Sequence, residues 1–136
     1  MISGNWSHEK NQAGVAGNTT QEGVAGHGTS SPYDIHATLI AVGPDFREHA
    51  VSTAPTANVD IAPTLLTLLG LPIPASMTGR PFDEALRSGP ALTSLRVAKT
   101  IETAKTADGS YQVDAHLSTV AGKRYLDYTE VHRAPR

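Results

Sequence analysis

Apolar and polar residues are distributed differently along different parts of the chain. Residues 1–30 hold six of the twelve glycines, with Asn, Thr, Ser and Gln between them, and show no periodic apolar pattern. The stretch "ATLIAVG" at 37–43 is nearly continuous in apolar residues and is followed by Pro44. Such a run, without alternation, is typical of a strand buried on both faces of a parallel sheet that helices cover. We therefore predict a buried strand at 38–42.

The next stretch has helical spacing. Its apolar residues recur at Val59, Ala62, Leu65, Leu66 and Leu69. Asn58 is a favourable N-cap, and the negative charge of Asp60 in the first turn suits the helix dipole. Gly70 and Pro72 are typical of the end of a helix. The pattern predicts a helix of about three turns with a buried apolar face.

Two further elements complete the pattern. "GRPFDEALRSG" at 79–89 predicts a short second helix that Pro81 can begin. From Arg96 the pattern has period two, and Asp108-Gly109 and Ala121-Gly122 mark turns between three strands. One face of the middle strand is predicted to carry Tyr111, Val113, Ala115 and Leu117. The sequence therefore predicts an antiparallel meander with one packed face and one wet face.

The pattern predicts the α/β fold class, but the α/β portion has too few helices and strands to bury its predicted strand. One parallel strand with one or two helices cannot bury itself on both sides. We therefore expect residues 1–90 to be an incomplete part of an α/β domain. We expect residues 91–136 to form a small antiparallel segment that packs on it.

Composition narrows the classes of function. The 136 residues are 39% hydrophobic and 18% charged, which is typical of a folded chain. The formal net charge of −2, without a basic block, gives no indication of a nucleic-acid surface. The apolar run at 65–71 is too short to span a bilayer. Without cysteine, thiolate metal sites and cysteine nucleophiles are excluded, but the compartment stays open.

Three pieces of sequence carry a resemblance. "GHGTSSPYDIHATLIAVGPDFR", then "NVDIAPTLLTLLGLPIP" and "GRPFDEAL", resemble the C-terminal part of alkaline phosphatase superfamily hydrolases. The likeness is greatest to type I phosphodiesterases/nucleotide pyrophosphatases and to sulfatase-like enzymes. The likeness extends from Trp6 to Leu86. It rests on the order and spacing of the three pieces, since no single piece is specific for the family.

The resemblance implies an α/β/α sandwich with two divalent metals, usually zinc, at the ends of the sheet strands. It also implies a Thr or Ser nucleophile that attacks phosphorus, with three Asp and three His as metal ligands. The last ligand lies in the glycine-flanked motif, which makes His27 the candidate metal ligand here. No stretch matches the nucleophile or the five earlier ligands. We therefore expect a C-terminal portion of a larger hydrolase, inactive by itself.

Other polar residues receive structural or auxiliary interpretations. Asp34 could cap a turn or orient His27 through a hydrogen bond, and the turn is the favoured interpretation. Asp60 is interpreted as a helix cap. Arg80 could reach an anionic substrate, although a surface or packing role is favoured. His36 is expected to be partly buried, and the remaining histidines that we place on the surface are His8, His49, His116 and His132.

Three functions remain open. The leading interpretation is hydrolysis of phosphate mono- or diesters, with a small-molecule ester as substrate and the missing N-terminal catalytic portion as partner. A sulfatase-like enzyme would use one calcium ion, but typical sulfatases have Lys where His27 stands. A stand-alone, non-catalytic interaction module is the third, and it would leave the 38–42 strand half uncovered. The resemblance also implies an exported enzyme, although no signal peptide marks this chain.

Overall fold

The computed structural model describes residues 30–134, apart from the side chain of Asp34. The helices are α1 (Pro32–Ile35) and α2 (Ile61–Leu68), and the strands are β1 (Val97–Lys105), β2 (Tyr111–Val120) and β3 (Lys123–Arg133). Short 3-10 turns lie at Asn58–Asp60, Asp83–Ala85 and Leu92–Ser94. The fold of this part of the chain is mixed α/β, as predicted, with a three-stranded antiparallel sheet in the order β1-β2-β3.

The chain divides into two compact units. Within the described range, the first unit contains residues 30–38, Lys99–Ser118 and 126–134. The second contains Leu39–Ala98 and Thr119–Tyr125. None of the helices between residues 30 and 134 is long and apolar enough to cross a membrane.

The predicted meander is confirmed, including both turns. Between β1 and β2, the amide of Thr106 donates to the carbonyl of Tyr111 over 2.9 Å, and Gly109 takes the left-handed φ of 70°. Between β2 and β3, Ala121 and Gly122 have φ of 48° and 75°, the conformation of a tight hairpin turn. The predicted packed face is only partly present, since Leu117 alone of its four residues is buried.

The predicted helix at 58–69 is also confirmed. A 3-10 turn begins at Asn58 and continues directly into α2. Gly70 ends it with a left-handed φ of 64°, and the amide of Leu71 donates to the carbonyl of Leu66 over 2.9 Å. The N-cap prediction for Asn58 is wrong, because the residue at that position is Ala57.

The prediction of the buried face of α2 is wrong. Asp60, Pro63 and Thr64 are buried, whereas Leu65 and Leu69 are 52% and 69% exposed. The helix faces inward with its polar side because Asp60 and Thr64 form buried hydrogen bonds there. Helical spacing therefore predicted the helix correctly but not its orientation.

The predicted strand at 38–42 is not formed. The segment has no regular secondary structure, and Ile40 and Val42 are 80% and 90% exposed. A strand buried on both faces needs neighbouring strands and two layers of helices. The sheet of residues 30–134 is antiparallel and does not include this segment. His36, next to it, is exposed rather than partly buried, so that prediction is wrong as well.

The predicted second helix is only one 3-10 turn, Asp83–Ala85. Leu86 leaves helical geometry because it forms an antiparallel bridge with Phe46. Beside this bridge, the amide of Arg47 donates to Ala85 and the amide of Arg87 donates to Asp45, over 2.9 and 2.8 Å. The α/β/α sandwich implied by the resemblance is not confirmed and stays a prediction.

Candidate functional site

The two residues singled out for a metal site remain untested. His27 lies outside the described residues. Asp34 lies within α1, and its side chain also falls outside the description. The cap of α1 is Ser31, whose hydroxyl oxygen accepts the amide of Tyr33 over 3.2 Å. Both interpretations of Asp34 therefore stay predictions.

The described residues do not by themselves fit a zinc site. Zinc at a catalytic centre takes about three protein ligands. Between residues 30 and 134, no group of three His, Asp or Glu side chains is placed to hold a metal ion.

The second unit instead contains a buried polar group, which we call the Asp60 cluster: Asp60, Thr64, Arg80, Glu84 and Tyr125. Each of these side chains belongs to a residue less than one tenth exposed. Burial of polar groups costs free energy unless each finds a hydrogen-bond partner. The bonds that these residues form therefore decide whether the cluster is stable.

Asp60 is the centre of this cluster, and its carboxylate accepts three hydrogen bonds. Oδ2 accepts from the amide of Ala57 and from the Tyr125 hydroxyl, each over 2.9 Å. Oδ1 accepts from the amide of Arg80 over 2.8 Å. The prediction that Asp60 caps the helix start is confirmed, since the Ala57 amide precedes the first helical turn. The same carboxylate also fixes the 79–80 loop and the start of β3, which carries Tyr125.

Arg80 and Glu84 form a buried ion pair beside Asp60. The two guanidinium Nη atoms each lie 2.8 Å from one carboxylate oxygen, which is bidentate geometry. Arg80 Nη1 and Nη2 also donate to the carbonyls of Pro81 and Pro55. The favoured packing role of Arg80 is thus confirmed, and its charge is already neutralised by Glu84.

The electrostatics of the cluster follow from this arrangement. Burial alone would lower the pKa of Arg80, but the hydrogen bonds and charge of Glu84 outweigh it and raise that pKa. Burial, together with the hydrogen bond to Asp60, raises the pKa of Tyr125 to about 12. Burial likewise raises the pKa of neighbouring Asp83, with a contribution from the charge of Glu84. The Tyr125 hydroxyl is therefore protonated at neutral pH and acts as a donor.

Close backbone approach completes the cluster. A Cβ atom at Gly79 would lie 2.1 Å from the carbonyl oxygen of Val59 and 2.8 Å from Asp60 Oδ1. Only glycine fits there. The hydroxyl of Thr64 is also fully hydrogen-bonded, because it donates to the carbonyl of Asp60 and accepts from the amide of Phe82. The arrangement holds loops in place, and its carboxylates and hydroxyls form hydrogen bonds with backbone groups or with one another.

The first unit carries a second polar group, which we call the histidine face: Asp114, His116, Tyr128, Glu130 and His132. His116 Nε2 lies 3.1 Å from Glu130 Oε2, and its ring stacks on Tyr128 with centroids 4.1 Å apart. His132 Nε2 lies 3.1 Å from Asp114 Oδ2. The side chain of His132 is 54% exposed, which confirms the surface prediction, whereas that of His116 is only 20% exposed.

Asp114 accepts three side-chain donors. Thr103 Oγ1 donates over 2.6 Å, Gln112 Nε2 over 2.8 Å, and His132 is the third. The hydrogen bond from Thr103 is the main cause that lowers the pKa of Asp114, with Gln112 and His132 contributing. Asp114 is therefore a carboxylate at neutral pH.

Sequence reasoning missed most of both groups. The separation of four residues between Arg80 and Glu84 would have allowed pairing on a helix, but the local structure is a 3-10 turn. Tyr125 is 65 residues from Asp60, so no local signal relates them. For the histidine face, the alternation of residues along the predicted strands could have indicated which side chains share a face. His116 and Asp114 share one parity on β2, as Glu130 and His132 do on β3.

Comparison with known proteins adds no relative: no protein-family profile, curated protein or solved structure matches the chain.

Proposed function

We propose that this chain is part of a metal-dependent hydrolase of phosphate esters, to which His27 contributes a metal ligand. The chemistry rests on the resemblance of the "GHG", "DIAPTLL" and "GRPF" pieces in their order. Imidazole is a good zinc ligand, and the glycines on both sides let the backbone approach a crowded ion. When bound, two metals would polarise the phosphoryl oxygen and stabilise the leaving oxygen.

One structural observation supports the proposal that a larger domain covers this chain. The second unit exposes several large apolar side chains. Those that are at least half exposed are Ile40, Val42, Val51, Val59, Leu65, Leu69 and Leu71. Large exposed apolar patches mark surfaces that contact another protein segment. A helix and an apolar segment left open are what an α/β layer shows when its sheet neighbours are removed.

The Asp60 cluster has a supporting role in this proposal. It ties the start of α2 to the 79–84 loop through buried hydrogen bonds. This leaves the leucine side of α2 turned outward. The cluster would therefore present that side as a fixed surface to the rest of the domain.

The test begins with the protein isolated from its source. We expect an intact mass greater than that of the 136 residues, about one or two zinc ions per molecule, and hydrolysis of an aryl phosphate diester. His27→Ala should lower the zinc content and reduce kcat/KM by about a hundredfold or more, since it removes one of few ligands. His49→Ala is the matched control, because His49 is an exposed loop residue, and it should change neither.

The other outcomes distinguish the competing functions. Hydrolysis of an aryl sulfate with calcium, but not of the phosphate diester, would support the sulfatase-like alternative. A native product of 136 residues that melts cooperatively, binds no zinc and hydrolyses neither ester would refute the hydrolase proposal. That result would favour a stand-alone interaction module.

A further inference from the structure

The strand β1 forms one outer edge of the sheet. The strand order is β1-β2-β3, and no other strand between residues 30 and 134 lies beside β1. All nine of its residues are exposed. The strand contains no proline, which could not donate to a neighbouring strand. A long exposed edge of this kind can serve as a template for a further strand.

The direction of the backbone groups of β1 follows from its pairing with β2. The amide of Thr106 donates to the carbonyl of Tyr111 at the turn end of the ladder. Further along, Thr103 lies opposite Asp114, and their side chains are bonded over 2.6 Å. Hydrogen-bonded and non-hydrogen-bonded positions alternate in an antiparallel ladder. The even-numbered residues of β1 therefore bond to β2, and the odd-numbered residues direct their N–H and C=O groups outward.

The opposite edge of the sheet differs from β1. On β3, the amide of Thr129 donates to the carbonyl of Ser30 over 2.9 Å, and the hydroxyls of these two residues are bonded over 2.6 Å. An earlier segment of the chain therefore already covers part of the β3 edge. Within residues 30–134, β1 is the edge beside which no other segment pairs.

The sequence of β1, "VAKTIETAK", can pair antiparallel with itself. Ile101 is its middle residue, so a twofold axis at Ile101 overlaps the whole strand with its copy. Lys99 then lies opposite Thr103, and Thr100 lies opposite Glu102. No two like charges face each other. The odd-numbered residues, whose backbone groups point outward, become the hydrogen-bonded pairs of the new ladder.

The neighbouring registers are less favourable. A twofold axis at Glu102 would place Glu102 opposite its own copy and Lys99 opposite Lys105, and like charges directly opposite each other are destabilising. An axis at Thr100 would leave Lys105 beyond the end of the partner strand and place Lys99 opposite Ile101. The side chains of β1 therefore select the axis at Ile101.

Charges on the same face of the sheet favour this pairing. Thr103 binds Asp114 of the adjacent strand, so Lys99 of one copy would extend over Thr103 toward the Asp114 carboxylate of the other copy. The side chain of Lys99 is 78% exposed and lies 3.9 Å from Asp127, which leaves it able to turn. The twofold axis repeats this attraction between opposite charges on both sides.

We propose that β1 pairs antiparallel with β1 of a second copy of this chain, about a twofold axis at Ile101, and joins the two sheets into one. Ile101, which is 60% exposed in one copy, would then lie against its counterpart. Pairing occupies the β1 edge of both copies, and a twofold contact of this kind closes on itself. Assembly therefore stops at a dimer. The proposal is independent of His27 and of the proposed hydrolase chemistry.

The first experiment uses the absence of cysteine from the full 136-residue chain. Hydrogen-bonded residue pairs in an antiparallel ladder have Cα atoms about 5.5 Å apart, which a disulfide can span. Ile101→Cys should therefore form a covalent dimer under mild oxidation, as seen on a non-reducing gel. Lys99→Cys and Thr103→Cys should not do so singly, because like residues would lie about 13 Å apart. A mixture of these two variants should cross-link.

Sedimentation equilibrium from micromolar to millimolar protein measures association without a cross-link. The wild type should show a monomer–dimer equilibrium. Ile101→Lys places two like charges at the axis and should raise the dimer dissociation constant about tenfold or more. Thr100→Lys is the matched control: it adds the same charge to an exposed position of the same strand, but opposite Glu102, and should not weaken the dimer.

Several results would overturn the proposal. These are a wild type that stays monomeric over the whole range, a dimer in which Ile101→Cys does not cross-link, and equal cross-linking of the three single-cysteine variants. Equal weakening by the two lysine variants would do the same. Amide hydrogen exchange adds a further check, because slow exchange at Ile101 and Thr103 in a monomer would mean that another segment of the same chain occupies the β1 edge.

Discussion

Asp60 and Asp114 each accept three hydrogen bonds, yet they lie in different surroundings. Asp60 is fully buried and binds two backbone amides and the Tyr125 hydroxyl. Asp114, whose side chain is 15% exposed, binds only side chains, those of Thr103, Gln112 and His132. The donors of Asp60 cannot turn to water if the carboxylate is lost, whereas those of Asp114 can. Loss of the Asp60 carboxylate should therefore lower the free energy of unfolding more than loss of the Asp114 carboxylate, although each accepts three hydrogen bonds.

The same contrast separates the two arginine ion pairs of the second unit. Arg80 and Glu84 have side chains 6% and 2% exposed, whereas Arg87 and Glu48 have side chains 52% and 72% exposed. Breaking a buried pair leaves an uncompensated charge, but an exposed pair contributes little. Among these arginine ion pairs and carboxylates, the buried ones of the Asp60 cluster should therefore contribute most to stability.

Asp60→Asn is expected to have the largest effect of the three variants that test this contrast. The amide keeps the shape but turns an NH₂ group toward a buried donor. The free energy of unfolding should fall by about 2–4 kcal/mol, because at least one buried donor loses its acceptor. Urea denaturation of the wild type and the variant at pH 7 measures the difference. A loss below that of the same substitution at Asp114 would show that burial does not set the ranking.

Tyr125→Phe should have the next largest effect, and it can be checked by pH. Removal of the hydroxyl deprives Asp60 of one donor while two remain, so the expected loss is about 1–2 kcal/mol at neutral pH. The pKa of Tyr125 is raised to about 12, above the ordinary value near 10. The folded chain therefore binds this proton more tightly than the unfolded chain. The stabilisation is complete below about pH 10 and is lost as pH rises toward 12.

The difference in the free energy of unfolding between wild type and Tyr125→Phe should accordingly narrow between about pH 10 and 12 in urea denaturation. Tyr111→Phe is the control, because it keeps the ring under Arg133 and removes a hydroxyl outside the cluster. A gap that stays constant with pH would mean that the Tyr125 phenol does not titrate with folding.

The end of α2 and the turn between β1 and β2 were predicted correctly, because each depends on a single glycine in the local sequence. Gly70 ends α2 and Gly109 forms a turn because a left-handed φ is readily available to glycine. The orientation of α2 could not be predicted in this way. It depends on Asp60 bonding Arg80 and Tyr125, which are 20 and 65 residues away. Apolar spacing favoured the leucine side because hydrophobic residues are usually buried, and buried hydrogen bonds outweighed that tendency here.

The 37–43 segment shows a different limit. Its continuous apolar pattern predicts burial on the condition that strands and helices surround it. Residues 30–134 provide no such cover, and Ile40 and Val42 are exposed. The pattern therefore shows that the segment would need cover in order to be buried, and not that it is buried here.

The histidine face could have been predicted from the sequence, because its residues alternate along β2 and β3. It was not predicted, because scattered histidines are usually exposed to solvent.

Asp114→Asn should have the smallest effect on the free energy of unfolding at pH 7, because the donors of Asp114 can bind water instead. The hydrogen bond from Thr103, with those from Gln112 and His132, lowers the pKa of Asp114. This contribution is present above the ordinary carboxyl range and is lost as pH falls through the lowered pKa. The small gap between wild type and Asp114→Asn in urea denaturation should therefore close in acid. A gap at pH 7 as large as that of Asp60→Asn would show that the sheet surface, and not the buried cluster, holds the chain together.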